Sequence, residues 1–161
     1  MRALLWFKQD LRLDDHPALQ AGLTAECLLP VYVLDPVLLQ LNEFGMRPMG
    51  VHRARFLLES LVALEGELRQ RGSHLLVVIG SAEQAIPQLV AQFNLNQVLT
   101  LEEIAPDERA QVARVARRLG DAVLQQAPAN NLLHAEELPF SVEQLPHVFS
   151  KFRSLVEERL Q

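Results

Sequence analysis

Short apolar runs alternate with amphipathic stretches along this chain, and that alternation leaves little besides a parallel α/β sheet. Ala3-Leu4-Leu5-Trp6-Phe7 is apolar without interruption, as expected of a strand covered on both faces. Pro17 then suits the first position of a short helix over 17–22. Leu28 to Leu34 predicts a second strand, in which Pro30 implies an edge position or a late start at Val31. After a loop over 42–50, Val51, Ala54, Leu57, Leu58, Leu61, Leu64 and Leu68 keep helical spacing as far as Arg71, with Gly72 as the stop. Leu75 to Ile79 is a third strand, and Ser81 and Gln84 are spaced as a capping box for a helix ending near Phe93. Gln97 to Leu101 is a fourth strand. Pro106 opens a helix reaching Leu119, Ala122 to Gln125 is a short fifth strand, and Leu132 to His134 is a further strand fragment. A loop marked by Pro128, Pro139 and Pro146 leads to a last helix from about His147. The expectation is an open five-stranded parallel sheet, Rossmann-like in order 3-2-1-4-5, with helices on both faces and no dividing linker.

Composition narrows the chemistry. At 161 residues, 49% hydrophobic and 22% charged, the chain suits a single domain over 1–161 whose core needs no staples. One cysteine, Cys27, excludes an internal disulfide framework and any CxxC site. A net charge of −5 excludes a generally basic nucleic-acid surface. No apolar run reaches the ~18 residues of a membrane span, and no signal-peptide core is present. These features predict a soluble, cytoplasmic protein with no membrane partner. GxGxxG, P-loop, HExxH and GxSxG signatures are absent. The five histidines have no ligand spacing, so no metal is expected.

The polar stretch Lys8 to His16 stands out because ligands of open α/β sheets bind beyond the carboxyl ends of strands. It is either a cleft holding Lys8, Asp10 and Arg12 against Glu103 or Glu108, or a surface with an Asp10–Arg12 ion pair and Asp14 or Asp15 capping a helix. The loop from Phe44 to Gly50 is either a lid for a planar ligand or a plug for the sheet end. Arg53 and Arg55 read as a solvated face or an anion contact, and Ser81 as a cap or a phosphate site. Phe149, Phe152, Leu155, Val156 and Leu160 form an apolar stripe that packs on its own sheet or leads to a partner.

Trp6-Phe7-Lys8-Gln9-Asp10-Leu11-Arg12-Leu13-Asp14-Asp15-His16-Pro17-Ala18-Leu19 closely resembles the opening WFR.DLR..DN.AL of the photolyase/cryptochrome family. Glu137-Leu138-Pro139-Phe140 and Leu145-Pro146-His147-Val148-Phe149-Ser150-Lys151-Phe152-Arg153 resemble the DLPF…LP.V.T.FR signature of its cryptochrome DASH branch. Arg53 to Leu61, following Phe44-Gly45, is similar to that branch as well. The motifs are co-linear and cover the whole chain.

The resemblance implies an N-terminal antenna domain that binds methenyltetrahydrofolate beside a helical domain carrying FAD and the DNA lesion. Because the chain stops at Gln161, that FAD-binding domain is expected to be absent from it. DNA would be reached only through that domain, and catalysis would not occur in this chain alone. The family's antenna-binding glutamate matches Glu108, with Glu103 the competing alignment, and a second contact falls on the loop Phe44–Gly50. Lys8, Asp10, Arg12, Phe149, Phe152 and Arg153 would face the second domain. Antenna binding would be weak without the wall that domain supplies. The bare surface would lead to a homodimer or a frayed last helix. The sequence departs from the family at Arg47-Pro48-Met49-Gly50, where relatives have PKTG, and at Lys8, where arginine is usual. The alternative is a stand-alone interaction or regulatory module that kept the fold and lost the chromophore.

Overall fold

Five strands lie parallel in the order β3-β2-β1-β4-β5: β1 (Arg2–Phe7), β2 (Cys27–Leu34), β3 (Leu76–Ile79), β4 (Gln97–Leu101) and β5 (Val123–Ala127). The computed structural model describes residues 1–128, 133 and 135–160. The ends of the expected strand fragment, Leu132 and His134, lie outside the described residues. Two compact units form, Met1–Ala129 and Asn130–Gln161, where the sequence suggested no division.

β1 is the centre of the first unit because its side chains serve two cores at once. Ala3, Leu5 and Phe7 enter one core with Ala18 of α1 (Pro17–Gly22) and Leu61, Leu64 and Leu68 of α2 (Val51–Gln70). Leu4 and Trp6 enter the other, with Ile86 and Leu89 of α3 (Ala82–Gln92) and Val112 and Val115 of α4 (Pro106–Ala116). Alternation across the pleat does this, and both faces are therefore apolar. Gly22 lets α1 approach closely: a Cβ there would lie 2.9 Å from Leu28 Cδ1 and 3.1 Å from Leu99 Cδ1.

Several local expectations need correction. β2 is an interior strand despite Pro30. Its first half pairs only with β1, and β3 joins from Val31 onward, so the strand is locally an edge where the proline sits. Ser81 does not build a capping box. Its hydroxyl donates to Glu83 instead, 2.7 Å away, and Glu83 also takes the Arg114 guanidinium at 2.6 Å. Those two bonds hold the Glu83 carboxyl below its usual value, the hydroxyl contributing most. Pro87 inside α3 has no N–H to offer the Glu83 carbonyl four residues back. Arg118 donates to that carbonyl at 3.2 Å, so one residue joins α3 to the end of α4 by side chain and backbone. α4 ends at Ala116 rather than Leu119, and β5 runs two residues further than expected, to Ala127.

α2 buries only its second half. Leu57 is partly buried, and Leu61, Leu64 and Leu68 continue one stripe, while Val51 and Leu58 face solvent. Gly72, at φ +76°, ends the helix as a left-handed C-cap, with the Ser73 amide donating to the Leu68 carbonyl. Glu65 fastens this end to β3. Its carboxylate accepts the Leu75 amide, His74 and Arg69, in that order of influence, and is held down to about 2. A depressed carboxylate stabilises the fold above its unfolded value and loses that contribution as pH falls. Urea unfolding should therefore show the chain more stable than its Glu65→Gln variant at neutral pH. The gap should close between about pH 4.5 and 2; a gap independent of pH would refute the clamp.

In the second unit, α5 (Phe149–Leu160) brings Phe152 edge-on to Phe140, with ring centroids 5.8 Å apart. Arg153 pairs along the helix with Glu157 at 2.6 Å, and Phe149 is 74% exposed. The helix starts two residues after His147.

Candidate chromophore site

Crossovers run outward from β1 to β2 and β3, then return to β4 and β5 on its other side. The loops after β1 and β4 thus diverge, which opens a crevice at the carboxyl end of the sheet. Two cavities lie there. The smaller, of about 280 Å³, is walled by Trp6, Lys8, Tyr32, Glu108, Gln111 and Arg114 among others. The larger, of about 640 Å³, shares Lys8, Gln9, Tyr32, Leu38, Asp107 and Glu108 and adds Met49 and one face of α2. That face is Arg53, Phe56, Leu57 and Ser60, spaced i, i+3, i+4, i+7. Volumes of this size suit a fused-ring ligand.

Asp107 and Glu108 stand in the first turn of α4, where the helix dipole favours negative charge. Glu108 makes no ion pair among the described residues, so its carboxylate remains available to the cavities. Glu103 is committed elsewhere: its Oε1 lies 2.8 Å from Lys8 Nζ, with both side chains largely buried. Glu103 instead lines a separate groove of about 400 Å³ between α4 and β5. Burial pushes the Tyr32 phenol up, against the opposing pull of the Arg53 charge, so the hydroxyl stays protonated over a wide range. The wall is therefore mixed: carboxylate acceptors, a phenol, three cations and aromatic rings.

The Lys8–His16 segment is drawn inward. Asp10 does not pair with Arg12; its carboxylate faces the His16 imidazole, and both are buried. His16, rather than Asp14 or Asp15, caps α1. Its Nδ1 accepts the Leu19 amide at 3.0 Å, which leaves the proton on Nε2 toward Asp10. The imidazole also meets Phe7 edge-on, 5.1 Å between centroids. Arg12 donates to the Asp15 carbonyl at 3.0 Å, with Asp15 at φ +49°. Thus Glu103 answers the Lys8 charge and the His16 imidazole faces the Asp10 carboxylate, while Arg12 closes its own turn.

Phe44 and Gly50 are not brought to either cavity. The tip folds on itself, with the Asn42 side chain accepting the Phe44 and Met46 amides, and Phe44 is 74% exposed. It does not plug the sheet end. Pro48 and Met49 of the same loop do reach the larger cavity. Tyr32 and Gln111 were not anticipated. Tyr32 could have been found from its place near the carboxyl end of β2, and Arg53, Phe56 and Ser60 from their helical spacing.

The family model for DNA photolyase matches residues 3–161. The chain belongs to the DNA photolyase family. Within that family it is similar to cryptochrome DASH of Gloeobacter violaceus, 37% identical over 96% of this chain and 31% of that protein. The Synechocystis cryptochrome crystal structure superposes with a TM-score of 0.90 at 32% identity, covering 98% of this chain and 33% of that one. An archaeal photolyase from Sulfolobus tokodaii, solved with two FAD molecules, gives 0.75 at 25% identity, covering 98% and 35%. This photolyase-family chain therefore spans about a third of the length of the relatives it matches. It is a domain of the DASH-like cryptochrome or photolyase type, with five parallel strands in the order β3-β2-β1-β4-β5. Among its described residues no helix is long and apolar enough to cross a membrane.

Proposed function

We propose that this chain is the antenna region of a cytoplasmic DASH-like protein and binds methenyltetrahydrofolate in the crevice beyond β1 and β4. The observation that carries the reading is the Glu108 carboxylate, which has no ion pair among the described residues and stands in the first turn of α4 on the wall of both cavities. A pterin edge offers adjacent N–H donors, for which an ionised carboxylate is a strong acceptor. Trp6, Tyr32 and Phe56 supply apolar and aromatic wall, and Arg53 lies beside Tyr32 for the acidic tail of such a ligand. When bound, the pterin supplies near-ultraviolet absorption. The chain's residues orient it and hold water away from part of its surface. FAD, held by a helical partner domain, would supply the flavin chemistry for light-driven dimer repair or blue-light sensing. Phe149, Phe152 and Arg153 remain candidates for the surface that meets that domain.

Trp6 is the chain's sole tryptophan, 3% exposed and on the wall of the smaller cavity, so its emission reports occupancy. Titration with methenyltetrahydrofolate should quench Trp6 emission saturably with one site. Absence of any saturable change up to millimolar ligand would overturn the reading in favour of an interaction module without a chromophore.

A further inference from the structure

We infer that Tyr32 is a specificity residue of the larger cavity, where its hydroxyl and the Arg53 guanidinium together take a carboxylate of the occupant; the inference rests on the pterin reading above. Tyr32 stands two residues before the end of β2, packs in the α1/α2 core and lines the cavity at the sheet end. The residue is only 7% exposed, yet its oxygen is not among the polar side-chain atoms sealed from solvent. None of the described residues hydrogen-bonds it. The hydroxyl is therefore open to the cavity and without a partner in the chain. Tyrosines this deeply placed usually have one, so the occupant is left to supply it.

Burial keeps the phenol protonated, so it has an O–H to give. Arg53 lines the same cavity from α2, makes no ion pair among the described residues, and its charge reaches Tyr32. A guanidinium offers donors only, and the phenol beside it adds one more. The oxygens of a carboxylate answer both at once, through charge-assisted bonds. Asp107 and Glu108 line this cavity from α4, on the other face of the sheet, and when ionised present acceptors only. The cavity thus has a donor side and an acceptor side. A pterin with a glutamyl tail enters it one way round, its ring N–H edge to Glu108 and its acid to Tyr32 and Arg53.

Folic acid and its dimethyl ester share ring and linker and differ in the charge of the tail. Quenching of Trp6 emission measures both affinities. The wild-type chain should favour the acid by on the order of tenfold, the span of a charge-assisted hydrogen bond. Tyr32→Phe removes one oxygen and keeps the ring packed, and Arg53→Gln changes an exposed side chain of α2. Each should bring the ratio of acid to ester below about threefold. Glu108→Gln should weaken both compounds alike and leave the ratio standing, because it acts on the ring. Equal wild-type affinities, or a ratio unchanged in both variants, would overturn the inference with the pterin reading intact. Equal weakening of acid and ester by Tyr32→Phe would overturn it too, leaving the phenol a ring contact or a packing group. Failure of wild type to bind either compound would bring down both readings together. Where Tyr32→Phe does not fold, the ratio in Arg53→Gln decides.

Discussion

Glutamine in place of Glu108 weakens methenyltetrahydrofolate binding by on the order of 30-fold, the span expected when a charge-assisted hydrogen bond of about 1.5–3 kcal/mol is lost. The swap keeps shape and one acceptor oxygen, so it removes charge and little else. The companion variant, Glu103→Gln, acts differently because Glu103 already answers Lys8. It strips a largely buried ammonium of its counter-charge, and the cost should appear in thermal unfolding, with affinity changed by less than about threefold. Calorimetric titration of both variants gives the ranking. The reverse order, with Glu103→Gln the more damaging to affinity, would move the ligand to the groove between α4 and β5.

Phe7→Ala costs roughly 3–5 kcal/mol of stability, the range for truncating a fully buried aromatic. Phe7 is inaccessible to solvent, closes the last position of β1 in the α1/α2 core, and holds the His16 ring edge-on at 5.1 Å. Removing it opens a cavity and unseats the cap of α1 in one step. For a domain with a total stability of about 5–15 kcal/mol, that is a large share. Val77→Ala on edge strand β3, where Val77 is 43% exposed, should cost no more than about 1 kcal/mol. Urea midpoints of the two variants compare them directly; similar losses would contradict the two-core description.

Much of the fold is legible in the sequence because each strand is a short apolar run and each helix carries its own punctuation. Pro17 and Pro106 stand at first helical positions, Gly72 stands at a left-handed stop, and β4 falls on the residues expected of it. Pro30 misled because its tolerance depends on where β3 begins, a register fact with no local signal. Ser81 misled because its hydroxyl, which a capping box uses as an acceptor, turns to donate to Glu83, which Arg114 holds from a helix 31 residues away in sequence. The site was half visible. Reading the ends of strands brought Lys8 together with Glu103 or Glu108, and only the family resemblance put Glu108 first. Phe56 and Ser60 were hidden because α2 was read as one apolar stripe facing a core, and only Arg53 was singled out, as an anion contact or a solvated face. The first half of that helix serves a cavity instead, and cavity-lining and core-lining spacings are the same in a helix. His16 was hidden too, since a histidine cap looks like any exposed polar residue until its second nitrogen meets Asp10.

β1 is joined to β2 across one loop and helix but waits for β4 on its other edge, from Ala3 opposite Gln97 to Leu5 opposite Leu99. During ribosomal synthesis the segment Ala3 to Phe7 therefore emerges long before its second neighbour exists. At about 5–20 residues per second the delay is roughly 5–20 s. Throughout it, five consecutive apolar residues keep one open ladder, the kind of segment that pairs with copies of itself. Retaining the nascent chain near a chaperone until Leu101 is clear of the exit tunnel would thus matter more for yield than any property of the finished sheet.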